Sequence, residues 1–118
     1  MGFEKENDMG KLTISTKIIA QIAGEAAMEC YGVVGMSSQK LKDSVVEILK
    51  KENYTKGIKI SQDKDDMIID IFLVIAYGIK LSEVALEVQK KIRYTLESTL
   101  DIRVQTINVH VQDIKVIN

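Results

Sequence analysis

Met67-Ile68-Ile69-Asp70-Ile71-Phe72-Leu73-Val74-Ile75-Ala76-Tyr77 is apolar at every position except Asp70, and Gly78 follows it. A strand that is apolar on both sides belongs in the middle of a sheet. Its alternate positions separate into two rows. Ile69, Ile71, Leu73 and Ile75 form a purely aliphatic row that suits a core. Ile68, Asp70, Phe72, Val74 and Ala76 form a mixed row that suits the opposite face. Just upstream, Ile58-Lys59-Ile60-Ser61 alternates as a second strand, and the polar link Gln62 to Asp66 joins the two as a hairpin.

Beyond Gly78, Leu81-Ser82 opens a long helix, with Ser82 as its cap and Leu81 with Leu86 as a hydrophobic staple. Leu81, Val84, Ala85, Val88, Ile92, Leu96 and Leu100 form its apolar face, and Lys90, Lys91 and Arg93 lie off it. Arg103 to Val116 reads as the last strand. Ile107, Val109 and Val111 point one way and Asn108, His110 and Gln112 the other. Toward the N-terminus, Lys11 to Ser15 alternates as a short strand, and Ser15 or Thr16 caps a helix. That helix carries Ile18, Ile19, Ile22, Ala23, Ala26, Ala27 and Cys30 on one stripe, with alanines small enough for close packing.

Four glycines punctuate these segments as structural turns: Gly32, Gly35, Gly57 and Gly78. Gly32 is the left-handed stop of the first helix. Leu41, Val45, Ile48 and Leu49 then space out a short second helix, and Gly57 closes its connection. The predicted order is β-α-α-β-β-α-β. It implies an α+β fold, a two-layer sandwich with a mixed sheet of about four strands and helices on one face. Residues 1–9 are charged and unpatterned and read as an unstructured tail, leaving 10–118 as a single domain.

Composition narrows the function by exclusion. The 118 residues suit one domain, and 46% hydrophobic with 28% charged residues is an ordinary globular balance. Sixteen basic and seventeen acidic side chains leave a net charge of −1, without the basic excess of a dedicated nucleic-acid binder. The lone Cys30 has no disulfide partner within the chain, and the lone His110 leaves no His/Cys metal cluster. No apolar run approaches the ~18 residues of a membrane span, and no signal-peptide core is present, so the reading is cytoplasmic.

The chemistry-bearing residues favour structure over catalysis. Cys30 sits at the C-terminal end of a predicted helix, where the dipole opposes a thiolate, and it reads as a buried inert thiol. Asp63, Asp65 and Asp66 lack the glycine and distant glutamate of a calcium loop and read as a solvated turn. Gly32-Val33-Val34-Gly35 matches the GxxG of KH-type RNA-binding modules. Its apolar middle pair would rather be buried than face phosphates, so RNA binding through this loop is the alternative reading. Lys80, Lys90, Lys91, Arg93 and Arg103 form the densest basic region and read as a solvated face.

Several segments together resemble one known family. They are Gly10-Lys11-Leu12-Thr13-Ile14-Ser15, Ile22-Ala23 through Tyr31-Gly32-Val33-Val34-Gly35-Met36, and Lys56-Gly57-Ile58-Lys59-Ile60. Ala76-Tyr77-Gly78-Ile79-Lys80-Leu81-Ser82-Glu83-Val84-Ala85, Val88-Gln89 and Ile107-Asn108-Val109-His110-Val111-Gln112 complete the pattern. In order and spacing they resemble the alkaline shock protein family of envelope stress response proteins from Gram-positive bacteria. The resemblance spans about residues 10 to 117 and is strongest to the short YloU-type members. It implies a non-catalytic cytoplasmic protein of cell-envelope homeostasis, without cofactor or metal. It implies protein partners, such as a membrane anchor protein or a DAK-type fatty acid kinase with its link to lipid metabolism, and self-association. It implies neither nucleic-acid binding nor direct membrane insertion.

If the helices cover one face of the sheet, the other carries Phe72 and Val74 beside Asn108, His110 and Gln112. Mixed patches of this kind mark interfaces, so these five residues are the candidate docking surface, with Phe72 as its anchor.

Overall fold

A computed structural model describes residues 2–38, 48–49, 51–63 and 66–116. The decisive stretch forms β5 (Asp66–Ala76), the central strand of a four-stranded mixed sheet. One edge of β5 is shared end to end by two antiparallel partners. β4 (Ile58–Asp63) takes the first half, with Ile58 opposite Ile71 and Ile60 opposite Ile69. β3 (Val33–Met36) takes the second half, with Met36 opposite Leu73 and Val33 opposite Ile75. The other edge pairs in parallel with β6 (Val104–Lys115), with Ile69 opposite Ile107, Ile71 opposite Val109 and Leu73 opposite Val111. The fold is α+β, and the expected mixed four-stranded sheet is present.

Two helices, α1 (Thr16–Met28) and α2 (Leu81–Leu100), cover the aliphatic side of the sheet. Ile69, Ile71, Leu73 and Ile75 are fully buried there, packed with Ile19, Ala23 and Ala27 of α1 and Val88, Ile92 and Leu96 of α2. The alanine stripe permits the predicted close approach. Gly24 continues it, lying flush against the Tyr54 ring in the 3-10 turn Lys51–Gly57. Ile18, assigned to the apolar stripe, stands half exposed instead, while Ala20 takes a buried place. Ser15 caps α1 as expected, its hydroxyl accepting from the Ile18 amide at 3.2 Å.

The structure corrects the chain order in several places. Residues 2–7, read as part of a tail, form β1 (Gly2–Asn7), which pairs antiparallel with β2 (Gly10–Ser15) as a separate two-stranded ribbon. The ribbon's charged side chains are tolerated because most of it faces solvent on both sides. Among the described side chains only the opposed pair Phe3 and Ile14 reaches the core. Lys5 ties the ribbon to the end of α2, its Nζ lying 2.5 Å from the Asp101 carbonyl and 2.6 Å from Asp101 Oδ2.

The predicted first-sheet strand is therefore replaced in the main sheet by β3, which contains Gly35. Gly35 is not a turn but a buried strand residue opposite Val74, next to a register shift. α1 ends at Met28 with Glu29 as its cap, so Gly32 is not the helix stop. At φ +92° it turns the chain into β3. Of the expected second helix, Leu41 and Val45 lie outside the described residues. Ile48 instead bridges Ser37, and the Leu49 amide donates to the Met36 carbonyl at 2.7 Å.

Gly57 ends the 3-10 turn, and Gly78, at φ +89°, ends β5, both as expected. Lys80, not Ser82, occupies the N-cap of α2, and no side chain caps it. Leu81 and Leu86, the expected staple, remain 37% and 48% exposed.

Candidate functional site

The face of the sheet turned away from the helices carries a built cluster of polar and aromatic side chains. Adjacent strands bring together residues that alternation aims outward: Ile68, Asp70 and Phe72 from β5, and Thr106, Asn108 and His110 from β6. The parallel register sets Asp70 beside Asn108 and Phe72 beside His110. His110 stacks on Phe72 with ring centroids 4.6 Å apart and planes 15° apart. Its Nε2 lies 2.9 Å from Asp70 Oδ1, and Asn108 Nδ2 donates to the same oxygen at 3.1 Å. One half-buried carboxylate thus fixes two neighbours, and the stack holds the imidazole in a defined plane. From β4, Lys59 stands opposite Asp70 and Ser61 opposite Ile68, extending the polar rim across three strands.

Three of the five candidate interface residues therefore come together: Phe72, Asn108 and His110. Of the other two, one is covered and one stands at a break in the pairing. Val74 is fully buried, although it stands outside the main core cluster. It lies opposite Gly35, and a Cβ on Gly35 would come within 2.7 Å of Ile48 Cγ2. Gly35 and Val74 share a face, and Ile48 packs over it at Gly35. Gln112 falls at a bulge: Leu73 pairs with Val111 and Val74 with Asp113, leaving Gln112 without a partner in β5.

Asp70, which the candidate set lacks, holds this cluster together. Its signal was visible as the single charge in an otherwise apolar strand. A buried-side position would have left that charge unpaired, so it had to face outward and find partners.

An Asp-His pair needs a nucleophile within reach of the imidazole to resemble a triad. The groups touching His110 are the Asp70 carboxylate and the Phe72 ring, and the hydroxyls of Thr106 and Ser61 stand level with Ile68, four residues along β5 from Phe72. Cys30 lies on the helix side of the sheet, its Sγ 3.7 Å from the Ala26 carbonyl. Burial pushes its thiol up, and the nearby Glu87 carboxylate adds to that, so it is poorly suited to form a thiolate. Among the described residues no group of three or more His, Cys, Asp and Glu side chains is placed to hold a metal. The small cleft where the ribbon meets β4 and β5, lined by Phe3, Thr16, Ile60, Ser61, Gln62 and Met67 with Gly2, carries no titratable side chain.

The GxxG reading is also corrected. Val33 to Met36 is a strand whose backbone is engaged with β5, so this segment is not a loop free to clamp a phosphate backbone. Apolar Val33 and Val34 suit that place. No helix among the described residues is long and apolar enough to cross a membrane.

Comparison with known proteins agrees with the resemblance carried by the sequence segments. Residues 4–116 match the alkaline shock protein family, described as having a cell envelope-related function. The chain is 41% identical to the uncharacterized protein YloU of Bacillus subtilis (strain 168), over all of this chain and 99% of that one. It is 38% identical to the uncharacterized protein Spy1614 of Streptococcus pyogenes serotype M6, over 92% of this chain and 90% of that one. A second Bacillus subtilis protein, the uncharacterized YqhY, is 34% identical over 94% of this chain and 82% of its own length. No solved structure matches the chain.

Proposed function

We propose, from the premise that this chain belongs to the alkaline shock protein family with its cell envelope-related function, that it is a non-catalytic binding protein. It works as a scaffold or regulator in the envelope stress response, and its docking surface is the sheet face opposite the helices. The observation that carries this reading is the Phe72–His110 stack, held by Asp70 and Asn108 on the part of that face where His110 and Asn108 are exposed. An aromatic anchor ringed by hydrogen-bonding groups is how protein interfaces concentrate their binding energy. Holding those groups in place before the partner arrives lowers the ordering cost of association.

The partner is a protein. A membrane anchor protein would hold the chain at the envelope without any span of its own, and a DAK-type fatty acid kinase would tie it to lipid metabolism. Affinity purification of the tagged protein from its own cells, membranes included, tests the reading. Wild type is expected to recover a discrete protein partner that Phe72→Glu does not. Equal recovery by both would remove the open face from the function. A turnover abolished by His110→Ala in folded protein would replace binding by catalysis.

A further inference from the structure

The outer strands of the main sheet are finished differently. Along β6, side chains of α2 take up carbonyls: Gln89 donates to Ile107 at 3.0 Å, and Arg93 to Val104 and Gln105 at 3.4 and 3.1 Å. β4 pairs with β5 alone among the described residues. Which of its backbone groups face outward follows from β5. The Phe72 carbonyl accepts from the Ser37 amide, and the Ala76 amide donates to the Gly32 carbonyl, so even-numbered residues of β5 turn their backbone groups to this side. Alternate residues of an antiparallel ladder behave alike. Ile68 and Asp70 therefore bond to their partners Ser61 and Lys59, whereas Ile58, Ile60 and Gln62 turn their N–H and C=O groups away from β5. No other group among the described residues bonds the backbone of Ile60 or Gln62. A cleft of about 310 Å³ lies along this edge on the helix side, lined by Thr16, Lys17 and Ala20 of α1 with Thr55, Ile58 and Ile60. Thr16 and Ile60 also line the smaller cleft that carries on toward Gln62. Lys17 is the single charged residue lining either cleft among the described residues. It is exposed, it makes no ion pair with a described residue, and the first turn of α1 holds no acid.

We infer that the outer edge of β4 receives an extended segment of a partner protein, added to the sheet as a further strand, with apolar residues entering the cleft and a carboxylate meeting Lys17. Its backbone pairs with the free groups of Ile60 and Gln62, which supplies affinity. Every second side chain falls on the helix side, over the apolar floor made by Ala20, Ile58 and Ile60, which supplies specificity. A carboxylate beside Lys17 is also favoured by the positive end of α1. A basic segment would set like charges together there, and a nucleic-acid strand has no ladder of N–H and C=O groups to match the edge. The site lies on the edge and the helix side, so it stands apart from docking at Phe72.

The probe is a fluorescein-labelled peptide in which valine alternates with glutamate, because main-chain pairing accepts any strand-forming sequence. Anisotropy with the full chain should show saturable binding, at least about tenfold tighter than for the same peptide with lysine in place of glutamate. Hydrogen exchange followed by NMR should find the Ile60 and Gln62 amides fast in the free chain and protected once the peptide is added. Gln62→Pro removes one outward N–H and leaves the β4–β5 ladder intact. It should melt as wild type does and bind the peptide about tenfold more weakly, the worth of one backbone hydrogen bond. Lys17→Glu should abolish the preference for the acidic peptide. The inference is overturned by an absence of saturable binding, by protection that appears on β3 or β6 instead of Ile60 and Gln62, or by equal binding to Gln62→Pro and wild type. A dimer of the free chain that Gln62→Pro splits would give the edge to a second copy and overturn it as well. If Gln62→Pro does not fold, Lys17→Glu and the exchange pattern decide alone.

Discussion

The two faces of β5 are made by one strand and end in opposite conditions. Ile69, Ile71, Leu73 and Ile75 lose all contact with water beneath α1 and α2. Ile68, Asp70 and Phe72 keep part of theirs and are organised by hydrogen bonds and a ring stack instead. Burial of four aliphatic side chains is where the stability of this fold is concentrated. The open row contributes little to stability, and that frees it to hold residues chosen for another purpose. An aromatic ring kept half exposed beside an oriented imidazole is a poor stabiliser and a good anchor.

The sharpest way to break this contrast is on the closed face. Ile71→Ala should destabilise the protein by about 2–5 kcal/mol, the usual cost of a truncation that leaves a cavity in a close-packed core. Chemical denaturation checks it, and a loss below about 1 kcal/mol would show that the closed row is not the core.

Two glycines beside that core give the next effects. A Cβ on Gly57 would lie 2.7 Å from the Ser37 carbonyl oxygen, and a backbone atom cannot swing aside. Gly57→Ala should therefore cost about 1–3 kcal/mol by overpacking. Gly32→Val should cost about 1–3 kcal/mol, because a β-branched residue is strained at φ +92°. Its Cβ would also press on Ile79 and Val84 at 3.0 Å. An unchanged melting temperature in either variant would contradict the packing described here.

The smallest effect concerns the exposed ribbon. The Lys5 hydrogen bond, and then its charge, hold the Asp101 carboxyl below the usual carboxylate range. A lowered folded-state pKa gives stabilisation that is present above the unfolded value and lost as pH falls through the folded one. Lys5→Met should raise the Asp101 midpoint in an NMR titration. An unmoved midpoint would detach the ribbon from α2.

Much of this architecture was legible because burial dictates pattern. The period-two apolar run of β5, the stripe of α2 and the alternation of β4 each follow from one face meeting a core. β1 was not legible for the opposite reason: Glu4, Lys5 and Glu6 face mostly solvent, so alternation had nothing to enforce it. Phe3 alone hinted at a contact. Two tertiary events were equally invisible. The bulge at Gln112 shifts the register of β6 against β5 without a glycine or proline to mark it. The packing beside Val74 comes from Ile48, 26 positions away in the chain, which lies over this face at Gly35. Of the candidate site, Phe72, Asn108 and His110 were readable from parity, whereas their shared dependence on Asp70 required the parallel register of β5 and β6.

The central claim is that the open face exists for a partner and not for the fold. Phe72→Glu tests it when melting temperature and partner affinity are measured on the same preparation. The account predicts a folded protein, destabilised by about 1 kcal/mol or less as for other surface changes, whose affinity for the partner recovered by wild type falls at least about tenfold. An unfolded variant would place Phe72 in the core, and a folded variant with undiminished affinity would leave the open face without a role.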